Sequence, residues 1–105
     1  MVRFINLWKG TPGDIEAFER HYREVHIPLA KKLAGLQRYT LSRNMTPLRG
    51  GEPYYQIGEL DFDDMASLQH AFQSPEGKAT SEDVTYIVAA FSVEVQSMIY
   101  QLEDL

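Results

Sequence analysis

Two hydrophobic periods take turns along this chain. Val2 to Trp8 (VRFINLW) is rich in β-branched and aromatic residues and stops at the turn cluster Lys9-Gly10-Thr11-Pro12-Gly13, which predicts a strand and then a loop. Asp14 is placed to cap a helix, with Glu16 near its positive end. From there Ile15, Phe18, Tyr22, Val25, Leu29 and Leu33 recur at spacings of three and four, the mark of one helical face. Pro28 interrupts the pattern, and inside a helix it removes a hydrogen bond and clashes one turn back. The expectation is a kink, or two helices abutting near His26-Ile27-Pro28, with Gly35 as the terminating glycine.

The remaining elements follow in the same way. Leu36 to Met45 predicts a second strand, Thr46 to Pro53 a loop with two Pro and two Gly, and Tyr54 to Phe62 a third strand. Asp63 is expected to cap a helix over 64–73 with Met65, Leu68, Ala71 and Phe72 as its apolar face. A second helical piece starts at Pro75 or Ser81 and runs to Val88. Phe91 to Tyr100 predicts the fourth strand, and 101–105 an acidic, frayed tail. The order β-α-β-β-α-β is the ferredoxin-like α+β arrangement, with both helices on one face of a four-stranded antiparallel sheet. At 105 residues the chain reads as one domain over 1–105.

Helices on one side leave the other sheet face to be accounted for. A face turned to water alternates cleanly between apolar and polar residues, and these strands do not. Val2, Phe4, Asn6 and Trp8 share a face, as do Glu94, Gln96, Met98 and Tyr100. The expected open face is aromatic and mixed, with Trp8, Met98 and Tyr100 beside Asn6, Gln56 and Gln96. Such a patch is rarely left bare on a monomer. A two-fold homodimer is the simplest cover, enclosing either a ligand cavity with aromatic walls or a filled, dry interface.

Composition narrows the chemistry. The net charge is −5 and no basic run exceeds Lys31-Lys32, which argues against nucleic-acid binding. Without cysteine there are no disulfides and no thiolate chemistry. The N-terminus does not read as a signal peptide, nor any stretch as a membrane span, so a cytoplasmic protein is expected. Metal binding is not expected: His21 and His26, five apart, do not share a face as an i, i+4 pair does, and His21 with Glu24 lacks a third ligand. His21 and His70 read as solvated. His26 stands apart because it lies in the apolar stripe, at the proline break. Its bland role is a buried histidine bonding a backbone carbonyl; its functional role is a general base.

The run Phe18-x3-Tyr22-x3-His26-x-Pro28-Leu29-x3-Leu33-x-Gly35-Leu36-x2-Tyr39 resembles the signature of the EthD-domain family, and Phe72-Gln73-Ser74-Pro75-Glu76-Gly77 is similar to that family's F-x-S-P-E-G helix break. The resemblance implies a dimeric α+β barrel with a sheet-lined cavity for a small apolar or aromatic metabolite, and no cofactor. It places the family's histidine at His26; the preceding aromatic, often Trp in the family, is Tyr22 here. Relatives in the barrel superfamily include cofactor-free monooxygenases, cyclases, isomerases and decarboxylases. The family's namesake accompanies a cytochrome P450 system in ethyl tert-butyl ether degradation, so a non-catalytic accessory protein is the alternative. The expected site joins His26 and Tyr22, as catalytic pair, with Asn6, Trp8, Tyr39, Tyr54, Gln56, Gln96 and Tyr100 around the ligand; Tyr55 and Arg38 are further donors.

Overall fold

The computed structural model describes all 105 residues. Its elements are β1 (Val2–Lys9), α1 (Ile15–His21), a π-helical turn (Tyr22–His26), α2 (Ile27–Ala30), β2 (Leu36–Leu41), β3 (Gln56–Phe62), α3 (Met65–Gln73), α4 (Pro75–Phe91) and β4 (Glu94–Gln101). The strands form one antiparallel sheet in the order β2-β3-β1-β4, the ferredoxin-like topology. All helices lie on one face. The Cα envelope of 36 × 35 × 17 Å is two layers thick, so nothing covers the other face.

Local chemistry explains most boundaries. The Asp14 carboxylate accepts from the Ala17 N–H at 3.0 Å and starts α1. Gly35, at φ +80°, makes the left-handed turn into β2. Asp64, not Asp63, caps α3 by accepting from Ser67 N–H at 2.8 Å. β2 ends at Leu41 rather than Met45, and β3 begins at Gln56 rather than Tyr54, so the connection between them is longer than expected. α4 is one helix of 17 residues, because Thr80, Asp83, Val84, Ile87 and Phe91 make a continuous buried or half-buried face. It therefore takes Phe91 from the expected fourth strand. Ser92, at φ +56°, ends it. The tail is tied down further than expected: Gln101 pairs with Val2, and Leu102 N–H donates to the Met1 carbonyl at 3.0 Å.

Pro28 marks the expected break: α1 and α2 meet through the π-helical turn, and α2 starts at Ile27 with Pro28 in its first turn. The proline offers no N–H to the carbonyl of Glu24, and in a regular helix its ring would press on that carbonyl. The preceding turn widens instead, and Ile27 N–H bonds Tyr22 O, five residues back.

Two apolar clusters fill the space between sheet and helices. One joins Val2, Ala30, Leu33, Leu60, Phe62, Leu68 and Ala71. The other joins Trp8, Phe18, Tyr22, Ile87, Phe91 and Val93. Buried polar residues, among them Asn6, His26, Thr80 and Asp83, lie in the same layer.

Candidate functional site

The π turn changes which residues share a face. Where each turn holds more residues, a spacing of five replaces a spacing of four, and His21 and His26 come to the same side. Both meet Asp83 of α4. His26 Nδ1 lies 2.9 Å from Asp83 Oδ2, and His21 Nε2 lies 2.8 Å from Asp83 Oδ1. A carboxylate only accepts, so each imidazole donates an N–H to it. His26 and Asp83 are buried, while the His21 side chain is 18% exposed, set against the rings of Tyr86 at 4.9 Å and Phe91 at 5.8 Å. The expectation of a solvated His21, and of two histidines on different faces, is corrected by the π turn.

Taking a carboxylate out of water is costly unless its lone pairs are used. Two charge-assisted bonds, each worth about 1.5–3 kcal/mol, offset that here. Burial pushes the His26 pKa below its ordinary value, against the opposing pull of Asp83. The ring is therefore neutral near pH 7. With its proton on Nδ1 toward Asp83, its lone pair sits on Nε2, which carries no protein hydrogen bond. His26 also borders a narrow cleft of about 30 Å3, lined on its other sides by Phe4, Asn6, Leu60, Phe72, Thr80 and Val84. Asn6 is held there by Ser97, whose hydroxyl donates to Asn6 Oδ1.

Asp83 was missed in the sequence, although it left a signal: an acid on the helix face that runs from Thr80 to Ile87 and Phe91. The sheet phase is also corrected. Asn6, Trp8 and Gln56, expected on the open face, lie beneath the helices. Trp8 packs edge-on against Phe18 and Tyr22, at 6.2 and 5.9 Å between ring centres. Trp8 Nε1 and Gln56 Nε2 are buried with no acceptor in good geometry. They lie near the Tyr22 hydroxyl, as does Tyr39. Burial raises the pKa of Tyr22 and of Tyr39, so both keep their phenol protons and serve as donors rather than bases. The rings of Tyr22 and His26 lie 4.8 Å apart.

The remaining expected residues lie elsewhere. Gln96 and Tyr100 are on the open face with Met98. Tyr54 precedes β3, donates to Gln96 Oε1 at 3.3 Å, and lines a separate open groove of about 540 Å3 with Gly10, Thr11, Met45, Glu52, Pro53 and Tyr55. Tyr55 donates to Glu19 at 3.0 Å, and burial with that bond pushes its pKa up to about 12. The structure thus joins His26, Tyr22, Asn6, Trp8, Gln56 and Tyr39 in one layer, and separates Tyr54, Gln96 and Tyr100 from them.

Comparison with known proteins agrees with this architecture. The EthD domain model matches residues 12–89. An uncharacterised 11.0 kDa protein from the thcB-thcC intergenic region of Rhodococcus erythropolis is 34% identical over 74 residues, covering 70% of this chain and 71% of that protein. The crystal structure of an ethyl tert-butyl ether degradation (EthD) family protein from Bacillus halodurans superposes with a TM-score of 0.84 at 32% identity, over 98% of this chain and 99% of that one. At 21% identity the fold alone is shared with a dimeric ferredoxin-like protein of unknown function from Bacteroides fragilis, TM-score 0.64, over 96% and 95% of the two chains. No helix is long and apolar enough to cross a membrane. The family match and two relatives above 30% identity lead to one conclusion: this chain belongs to the EthD domain family.

Proposed function

We propose that this protein is a homodimer that binds a small apolar or aromatic metabolite between sheet and helices and moves a proton on it without a cofactor, with His26 as general base. The observation that carries the reading is the His26–Asp83 bond. It orients the imidazole, fixes its tautomer, and leaves Nε2 free beside the cleft. In the step, Nε2 takes a proton from an acidic C–H or O–H of the ligand, leaving an enolate or phenolate. The imidazolium so formed is compensated by Asp83. Return of the proton to another ligand atom completes an isomerisation that needs no other reactant. The Asn6 Nδ2–H, on the cleft wall and held through its Oδ1 by Ser97, is the candidate donor to the developing oxyanion.

The volume of the cleft counts against a preformed catalytic pocket and brings in a second reading, an accessory protein. About 30 Å3 is room for a water, against the several hundred a metabolite fills. A ligand enters only if half-buried side chains such as Phe4 and Phe72 swing aside. An accessory protein that holds a metabolite without changing it would need the same opening and no base. One experiment separates the two: exchange of carbon-bound hydrogen for deuterium in a panel of 1,3-dicarbonyl and phenolic compounds, followed by proton NMR. Acceleration by the wild type that falls by about 100-fold or more in His26→Asn supports the base. Binding without exchange leaves the accessory role. Undiminished exchange in His26→Asn overturns His26.

A further inference from the structure

The structure holds a titratable group that this mechanism does not use. His21 occupies the second oxygen of the carboxylate that orients His26. It is the outermost member of the chain His26–Asp83–His21 and the only one with appreciable contact with water. Its ring packs against those of Tyr86 and Phe91, which also meet each other, so it does not swing freely. The π turn aligns it with His26, and a regular helix would set the two on different faces.

We propose that His21 is a positioning residue for His26: it clamps Asp83 from the solvent side, which fixes the buried imidazole in its Nδ1–H form, and on protonation it competes for the shared carboxylate and keeps His26 uncharged. One negative charge cannot fully compensate two imidazolium rings bonded to its two oxygens. The buried ring, His26, resists the charge, because burial disfavours its charged form. When His21 is protonated, Asp83 is engaged and a second positive charge on His26 meets repulsion across the carboxylate. Burial of His26 and the charge of His21 therefore act in the same direction, against the attraction of Asp83. The titratable groups facing the pair are few: Asp83 from α4 and Tyr22 from the π turn at His26, and Tyr86 from α4 at His21. The consequence is that the base remains available at a lower pH than a lone His–Asp pair would allow. This deepens the reading of His26 as the base, but its test needs no substrate.

Nitrogen-15 NMR of imidazole-labelled full-length protein reads both tautomer and titration. In the wild type His26 should be in the Nδ1–H form above neutrality. His21→Gln keeps a donor to Asp83 but not the titratable charge: the tautomer of His26 should persist and its titration midpoint should rise. His21→Phe removes donor and charge: the midpoint should rise and the tautomer preference should be lost. Asp83→Asn should shift the His26 midpoint down. If His26 titrates in His21→Gln as it does in the wild type, with the folded spectrum retained, the proposal is overturned, whether or not His21→Phe folds. A wild-type His26 in the Nε2–H form would also overturn it. Loss of hydrogen exchange in His26→Asn concerns the base alone, so the two readings fail separately.

Discussion

At the scale of single residues, the stability of this protein should carry the signature of a buried neutral histidine. The folded pKa of His26 lies below its unfolded value of 6.5. Between those two values the unfolded chain binds a proton that the folded chain refuses, so unfolding is favoured as pH falls. The contribution of His26 is fully present above pH 6.5 and is lost as pH drops through the folded pKa. Urea denaturation at a series of pH values should show this loss from pH 6.5 downward, with a shallower slope in His26→Asn. Asp83→Asn should cost about 1.5–3 kcal/mol near neutral pH, because the amide presents a donor to one of two imidazole donors. The same denaturation curves measure it. Sequence reasoning found His26 from its place in the apolar stripe, but not its partners. The 3.6-residue period assumes a regular helix, and the one departure from it lies at the residues that matter. A spacing of five reads as unrelated positions until the π turn before Pro28 makes it one turn.

At the scale of elements, the motif Ser74-Pro75-Glu76-Gly77 was legible as a break, and the structure gives each residue a task. The Ser74 hydroxyl accepts from Gly77 N–H at 3.1 Å and caps α4; Pro75 takes the first turn, where no N–H is needed; Glu76 faces the positive helix end. Gly77 permits the close corner between α3 and α4. A Cβ there would collide with the Ala71 carbonyl and the Phe72 backbone, none of it a flexible side chain that could yield. Gly77→Ala should destabilise by about 2–3 kcal/mol and lower Tm by roughly 10–20 °C. The penalty reaches the cleft, since α3 carries Phe72 and α4 carries Thr80, Asp83 and Val84. Calorimetry should show that loss, whereas Gly51→Ala in the β2–β3 connection, where nothing lies within 4 Å, should change little. Element ends were less legible than element order. α4 was expected to stop at Val88, although Phe91 continues its face, because aromatic and β-branched residues such as Phe91 and Val93 suit a strand as well as a helix.

At the scale of the molecule, element order was enough to show that one sheet face lacks helices, but not which residues occupy it. A shift of one residue exchanges the two faces, and polar Asn6 and Gln56 misled because both are buried under the helices. The open face is in fact built from Arg3, Ile5 and Leu7 of β1, Ile57, Glu59 and Asp61 of β3, and Gln96, Met98 and Tyr100 of β4. Leu7 pairs laterally with Ile57, and Ile5 with Met98, which makes an apolar centre. Arg3 beside it grips Asp61 through two bonds, at 2.7 and 3.0 Å. Met98 is 47% exposed and Tyr100 38%, on a face with no helix to cover them. A centre of apolar residues with a charged flank is the anatomy of an interface, and a second copy offers the same surface about a two-fold axis. The wild type should then sediment as a dimer at micromolar concentration. Leu7→Lys puts a charge from each copy into that apolar centre without touching either core cluster, so it should give a folded monomer with the helix content of the wild type. The His26–Asp83–His21 chain lies under the helices of its own protomer, so the imidazole titration of that monomer should be unchanged. A wild type that sediments as a monomer would remove the dimer and leave the site intact, because the two are built on opposite faces of the sheet.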